Sequence, residues 1–154
     1  MYKLNQLSLK EYQIVNESFD TNIYYRVEIF EDKTFKGVDS VKTISPGTVS
    51  KVILPYDGIY RLTISNNDDV SNPLDTYFIH NITDLVTLKQ DFITKVLLEH
   101  SKGTANTKHY YDIISFFVLF DTYNKIVREE YIQKIYPKNL YRIDYLHKQL
   151  KKYY

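Results

Sequence analysis

Hydrophobic and polar residues alternate along the first half of the chain with a period of two, the spacing that returns side chains to one face of a β-strand. The clearest segment spans residues 22–31, and the residues predicted to share one face there are Ile23, Tyr25, Val27 and Ile29. The same period predicts further strands over 3–9, 11–15, 38–44, 49–54, 59–65 and 76–82. Short strands at this spacing favour an antiparallel β-sandwich or barrel.

Turn-forming residues separate the predicted strands. They are Ser-Pro-Gly at 45–47, Pro-Tyr-Asp-Gly at 55–58 and Asn-Asn-Asp-Asp at 66–69. Proline fixes φ, glycine tolerates positive φ, and Asn or Asp side chains bond to nearby backbone, so each cluster predicts a reversal of the chain.

From residue 82 onward, the apolar residues follow the three-and-four spacing of an α-helix. A first helix is predicted to begin after Asn81 or Thr83 as the N-cap and to stop at Ser-Lys-Gly, residues 101–103. A second is predicted over 108–135, ended by Pro137. A third, over 139–152, carries one apolar face made of Leu140, Ile143, Leu146, His147 and Leu150.

The second predicted helix is apolar on most of its sides between Tyr110 and Phe120. This pattern predicts broad burial, against the other helices, the sandwich or a partner subunit. The fold class expected is therefore α+β. An antiparallel β-sandwich, immunoglobulin-like or barrel-like, is expected over 1–81, followed without a flexible linker by a bundle of about three helices over 82–154.

Composition narrows the function classes. The 154 residues have a net charge of +1 and a pI near 7.8, so a dedicated nucleic-acid-binding protein is not expected. No apolar run approaches the roughly 20 residues that span a bilayer, and the first residues lack a secretory signal pattern. There are no cysteines, whereas 16 tyrosines exceed what a small core needs, and tyrosine is enriched at protein contacts.

No catalytic or metal-binding pattern is recognisable. His100 and His109 flank the loop between the first two helices and would need Glu99 or Asp112 as further zinc ligands, so roles at the helix ends are favoured for them. The acids of residues 66–69 lack the spacing of a calcium loop, and the chain has neither a Gly-x-Ser-x-Gly elbow nor a phosphate-binding glycine loop. The expectation is no enzyme, no cofactor and no metal site.

The segment Asp-Gly-Ile-Tyr-Arg-Leu, residues 57–62, resembles the approach to strand F of immunoglobulin-like domains, where a tyrosine corner ties a loop to the strand. Asp57 and Gly58 are adjacent here, one residue closer than in that family, and Leu62 stands in the place of its second cysteine. The resemblance implies structural roles for Asp57, Gly58 and Tyr60.

A wider resemblance rests on the Tyr-, Asn-, Ile- and Lys-rich composition, the β-module containing Pro-Tyr-Asp-Gly-Ile-Tyr-Arg-Leu, and the helical segment Tyr-Tyr-Asp-Ile-Ile-Ser-Phe-Phe. These features are similar to small virion proteins of tailed bacteriophages, particularly crAss-like phages. The resemblance implies a ring, adaptor or neck subunit that is made in the host cytoplasm and joins the virion. Its implied partners are the portal and neighbouring ring or tail subunits, in a homo-oligomeric ring, with no membrane.

The candidate interface residues are Tyr110, Phe116, Phe117, Tyr145, Lys148, Lys151, Lys152, Tyr153 and Tyr154. The basic and aromatic C-terminus admits three interpretations: cations that complement the helix dipole, an anchor in a neighbouring subunit, or a single-strand nucleic-acid contact. The alternative function is a small phage-encoded regulatory module that binds a host protein or single-stranded nucleic acid through its helices.

Overall fold

The computed structural model describes residues 1–81, 85–103, 107–127, 132–138 and 140–153. Its strands are β1 (Tyr2–Gln6), β2 (Glu11–Asn16), β3 (Ile23–Glu31), β4 (Thr34–Gly37), β5 (Lys42–Ile44), β6 (Val49–Ile53), β7 (Gly58–Ser65), β8 (Asp75–Asn81) and β9 (Ile132–Gln133). Its helices are α1 (Leu85–Ser101), α2 (Thr107–Val127) and α3 (Leu140–Leu150), and a 3₁₀ turn over Lys151–Tyr153 follows α3. The predicted α+β class is confirmed.

The strands form two antiparallel sheets. One sheet has the order β1-β2-β6, and the other has the order β4-β3-β7-β8-β9, with β5 also paired to β3. Strands one, two and six thus lie in one sheet, and strands three, seven and eight lie in the other. This grouping matches strands A, B and E against C, F and G of immunoglobulin-like sandwiches.

Side chains from both sheets share one hydrophobic core. Tyr12 and Ile14 of β2 are buried together with Leu62 and Ile64 of β7, and Ile79 of β8 joins them. Successive residues of a strand point to opposite faces, so the period of two in the sequence places these side chains inward. Burial of each such side chain stabilises the fold by roughly 1.5–3 kcal/mol.

Tyr60 forms the tyrosine corner that the sequence predicts. Its buried hydroxyl donates to the carbonyl oxygen of Tyr56 at 2.7 Å and accepts the Tyr56 N–H at 2.9 Å. Asn81 Nδ2 donates to the same carbonyl at 2.8 Å, while Asp57 accepts Lys10 Nζ at 3.5 Å and Gly58 begins β7. Asn81 is therefore the last residue of β8, and its side chain holds the corner instead of capping a helix.

The outer face of the larger sheet carries a charged and aromatic cluster. Arg61 Nε and Nη2 donate to the two carboxylate oxygens of the buried Glu28, each at 2.9 Å. The Arg61 guanidinium also lies over the Phe35 ring at 4.4 Å, and Phe35 contacts Phe78, which packs edge-on against Tyr136. The cluster ties β3, β4, β7 and β8 to the segment that follows β9.

Strand β4 has no counterpart among the predicted strands. It pairs with β3 through a tight turn in which Asp32 and Lys33 have φ values of 49° and 67°. Two successive positive φ values give the turn a twist that matches a hairpin, but Asp-Lys is not a sequence that signals such a turn. The predicted strand over 38–44 is reduced to β5, Lys42–Ile44.

The second predicted helix was placed wrongly at its C-terminal end. Residues Ile132 and Gln133, predicted as helix, form β9 and pair with Ile79 and Phe78 of β8. Ile132 also packs against the hydrophobic core, which stabilises a strand at this sheet edge.

The chain divides into a sandwich unit, Met1–Asn81 with Tyr131–Pro137, and a helical unit, Ile82–Glu130 with Lys138–Tyr154. Residues 131–137, assigned by the sequence pattern to the helical half, thus belong to the sandwich unit.

In the helical unit, Phe92 of α1 stacks on Phe116 of α2 with ring centroids 3.9 Å apart. The Tyr123 hydroxyl of α2 and His147 Nδ1 of α3 are 3.0 Å apart. The predicted stop of α1 is confirmed, with Gly103 at a φ of 68°, and the buried residues of α3 are those predicted: Leu140, Ile143, Leu146, His147 and Leu150. In the described part of the chain, no helix combines the length and apolarity needed to cross a membrane.

Replacing Tyr60 by Phe should lower the free energy of unfolding by about 1–3 kcal/mol, because the Tyr56 N–H loses its acceptor and the Tyr56 carbonyl loses a donor. Tyr56→Phe is the matched control, since the Tyr56 side chain is exposed, and it should change stability by less than about 0.5 kcal/mol. Urea unfolding of both variants measures the difference. Equal effects would show that the corner hydroxyl contributes nothing.

Candidate functional site

One face of α2 is apolar and exposed. Tyr111, Ile114 and Val118 lie three and four residues apart, so they share one side of the helix, and their exposures are 66%, 60% and 60%. These three residues are called the α2 apolar face. Within the single chain this side of the helix is not buried, so of the surfaces expected to cover it only a partner subunit stays a prediction.

The opposite side of α2 is the one that packs. Phe116, Phe120 and Tyr123 are buried there, and Phe116 stacks on Phe92 and Phe120. The helix is apolar on more sides than the helical unit covers. Aromatic residues fill the buried side, and the α2 apolar face is left at the surface.

Phe116 and Phe117 were predicted as interface residues. Phe116 is fully buried and belongs to the core of the helical unit, so it cannot contact a partner directly. Phe117 is half-buried and lies edge-on to Phe92 and Phe116, with Lys89 Nζ 5.7 Å from its ring centroid. The side chain of Tyr110 lies outside the described residues.

The exposed face of α3 carries aromatic and basic side chains in one line. Tyr141, Tyr145 and Lys148 share the face, with exposures of 60% and 59% for the two tyrosines, and Lys152 continues the line in the 3₁₀ turn. These four residues are called the α3 tyrosine–lysine stripe. Lys148 Nζ bonds Asp144 at 3.1 Å, and Lys152 Nζ donates to Gln149 Oε1 at 2.7 Å.

The other predicted C-terminal residues separate into two groups. Lys151 is exposed beside the stripe, whereas Tyr153 turns inward and packs edge-on against Phe92 at 5.5 Å and Phe116 at 5.4 Å. Tyr153 therefore closes the aromatic core of the helical unit. Tyr154 lies outside the described residues.

A polar cluster lines a groove of about 570 Å³ in the sandwich unit. The Tyr2 hydroxyl donates to Asp75 and lies 2.6 Å from the Tyr77 hydroxyl, while Lys134 Nζ donates to Asp75 at 3.2 Å. Burial is the main cause that raises the pKa of Tyr2, and the hydrogen bond to Asp75 raises the pKa of Lys134. Both groups therefore keep their protons at neutral pH, and their hydrogen bonds join β1 to β8.

His80 is buried in β8, and neither ring nitrogen has a hydrogen-bond partner among the described residues. Burial lowers the pKa of His80 from 6.5 to about 4, so the ring is neutral near pH 7.

His100 is exposed in the last turn of α1, and the side chain of His109 is not among those described. Within the described residues, no group of three or more His, Asp or Glu side chains could hold a metal ion.

Sequence reasoning missed the α2 apolar face and Tyr141. The three-and-four spacing of Tyr111, Ile114 and Val118 was a signal that could have identified one continuous face, but equally apolar neighbours surround it.

Comparisons of the chain with protein-family models, curated proteins and solved structures give no match. Function is therefore inferred from the residues and geometry of the chain itself.

Tyr153→Ala should destabilise the helical unit by about 1–2 kcal/mol, because the substitution removes a half-buried ring and its contacts with Phe92 and Phe116. Tyr145→Ala removes an exposed ring and should change stability by less than about 0.5 kcal/mol. Thermal unfolding followed by helical circular dichroism measures both. A larger effect for Tyr145→Ala would contradict the separation of core and surface tyrosines.

The unfolding free energy should fall as pH drops from about 6.5 to 4, because unfolded His80 takes up a proton that the folded, buried ring does not. A shift from 6.5 to about 4 corresponds to a loss of at most about 3 kcal/mol. His80→Phe should remove this part of the pH profile, measured by urea unfolding at each pH. His100→Phe, the exposed control, should keep it, and an unchanged profile in His80→Phe would contradict the assignment.

Proposed function

We propose that this chain is a structural assembly protein of a tailed phage virion, a neck, ring or tail-connector subunit that acts through protein–protein contacts without catalysis. The observation that carries the proposal is the α2 apolar face, Tyr111, Ile114 and Val118, each at least 60% exposed. Contiguous apolar side chains at a surface mark interaction sites more often than isolated ones do.

Burial of this face against a neighbouring subunit is energetically more favourable than its exposure to water. Full burial of a large apolar side chain contributes roughly 1.5–3 kcal/mol, and each of these three retains more than half of its surface for such burial. Three of them on one helix face can therefore contribute several kcal/mol to association. A ring needs a contact that repeats from copy to copy around an axis, and the α2 apolar face would form one side of that contact.

The phage assignment is supported by the composition and the two quoted segments that resemble small virion proteins of tailed phages. On this proposal the partners are further copies of the chain, the portal, and neighbouring ring or tail subunits. The protein is made in the host cytoplasm and becomes part of the virion. It needs no cofactor, and the sandwich unit supplies a second surface for a different neighbour.

Mass measurement tests the assembly role. Quantitative mass spectrometry of purified virions of the encoding phage should find the chain at a fixed copy number per portal. Native mass spectrometry of the purified protein should find a closed oligomer or its assembly intermediates. Absence from virions together with a monomer at high protein concentration would overturn the proposal.

The double variant Ile114→Lys with Val118→Lys should abolish self-association, because two charges would have to be buried in the contact. Helical circular dichroism should not change, since both positions are exposed. Val49→Lys with Ile53→Lys on β6 is the matched control, since these are exposed apolar residues of the sandwich unit, and it should keep the wild-type mass. Loss of the oligomer in the control alone would place the contact on the sandwich unit.

A further inference from the structure

The groove of about 570 Å³ in the sandwich unit lies between one edge of each sheet. Strand β1 is an edge of the three-stranded sheet, and β9 is an edge of the other sheet. Residues of both strands line the groove, together with the start of β8. The apolar part of its lining includes Leu4, Leu74 and Ile132, and the groove is called the edge groove from here on.

The hydrophobic core is incompletely covered at the edge groove. Leu4 and Ile132 pack against the core but are only half-buried, and Leu74 is 48% exposed. By contrast, Ile14 of β2 and Ile79 of β8, one strand further in on each sheet, are fully buried. Further apolar side chains placed in the edge groove would therefore remove more of this surface from water.

The backbone of β1 is also unpaired along this edge. At the end of the β1–β2 ladder, the Glu17 N–H donates to the Met1 carbonyl at 3.1 Å, and bonded pairs recur at every second residue of an antiparallel ladder. Lys3 and Asn5 are therefore the residues of β1 that bond to β2. The residues whose N–H and C=O groups point away from β2 are Tyr2, Leu4 and Gln6. In the described part of the chain, β1 pairs with no strand other than β2.

The unpaired backbone groups and the inward side chains belong to the same residues of β1. Leu4 lies opposite the buried Ile14, so its side chain points toward the core, and those of Tyr2 and Gln6 point to the same side. In a strand added beside β1, the residues opposite these three would also point to that side. A segment with apolar residues at every second position would thus fill the edge groove and bond to β1. A helix or a lipid chain could fill the groove but would not pair with the backbone.

We infer that the edge groove accepts an extended segment of a different protein, which adds a strand to β1 and places alternate apolar side chains against Leu4, Leu74 and Ile132. A second copy of the chain fits less well, because every strand in its described part is already paired within a sheet. The β1 edge of a second copy would also bring side chains that pack on its own core. The inference deepens the proposed assembly role and rests on it for the kind of donor, a neighbouring subunit.

An array of immobilised peptides of about seven residues tests the edge groove with the purified protein. One set has Val, Leu, Ile or Phe at alternate positions, with Thr, Lys or Glu between them. The other set has the same residues with the apolar ones grouped together. The alternating set should retain roughly tenfold more protein, because only its apolar side chains all point to one side of a strand. No retention, or equal retention by both sets, would overturn the inference.

Leu74→Lys should weaken binding of the best alternating peptide by roughly tenfold or more, because an ammonium group would have to be buried in the contact. Ile53→Lys is the matched control, since Ile53 is 57% exposed and lies on β6, the opposite edge of the same sheet. The control should bind like wild type in fluorescence anisotropy with the labelled peptide. Urea midpoints check that both variants fold. Weakening in the control alone, or equally in both, would overturn the assignment to the edge groove.

Amide hydrogen exchange followed by NMR tests strand addition itself. The amides of Leu4 and Gln6 should exchange faster than those of Lys3 and Asn5 in the free protein, and roughly tenfold more slowly once the peptide is bound. Lys3 and Asn5 should change little. Peptide binding without this alternation would overturn strand addition, and slowing that needs only a higher protein concentration would indicate a second copy as the donor.

The peptide measurements and the virion measurement can fail separately. Peptide binding uses the purified chain alone, whereas the assembly role is tested by the copy number in virions. A chain that is present in virions but binds no peptide would overturn the edge groove as a docking site and leave the assembly role standing. A chain that binds alternating peptides but is absent from virions and monomeric would keep the strand-accepting site and overturn the virion subunit as its donor.

Discussion

Burial of the facing sides of two antiparallel sheets is the interaction on which the sandwich unit depends. Tyr12 and Ile14 on one sheet and Leu62 and Ile64 on the other supply apolar surface that water would otherwise cover. The remaining features of the unit orient this packing. The Tyr60 corner sets where β7 begins, and the polar cluster around Asp75 joins β1 to β8 beside the same core.

Most strands were predictable because the pleat imposes a period of two, and a half-buried strand must display it. Ile23–Glu31 and Gly58–Ser65 follow that rule closely. Strands β4 and β9 do not, since they are short and form at sheet edges where β3 and β8 offer unpaired backbone groups. The neighbouring edge determines where such a strand forms, and its two to four residues are too few to display a period of two, which is why Ile132 was mistaken for a helical residue.

In the helical unit, the sequence likewise predicts only some of the buried faces. The buried face of α3 was predictable, because its apolar and charged residues separate cleanly around the helix. Helix α2 is apolar on most sides, and only tertiary contacts decide that Phe116 is inside while Tyr111 and Val118 are outside. At the C-terminus, composition identified tyrosines and lysines as a group, but the fold separates Tyr153, a core residue, from Tyr145, a surface residue.

The pairing of β9 with β8 has a consequence during synthesis. Strands β1 to β8 precede α1 and α2 in the chain, and Ile132–Gln133 follows both helices, so β9 is the last strand to be synthesised. Until then, β8 is an open edge, with backbone N–H and C=O groups at Phe78 and Ile79 available to any other strand. A nascent chain stalled within the helices would therefore expose a template for edge-to-edge aggregation, and the later pairing of Ile132–Gln133 would cover that template at Phe78 and Ile79.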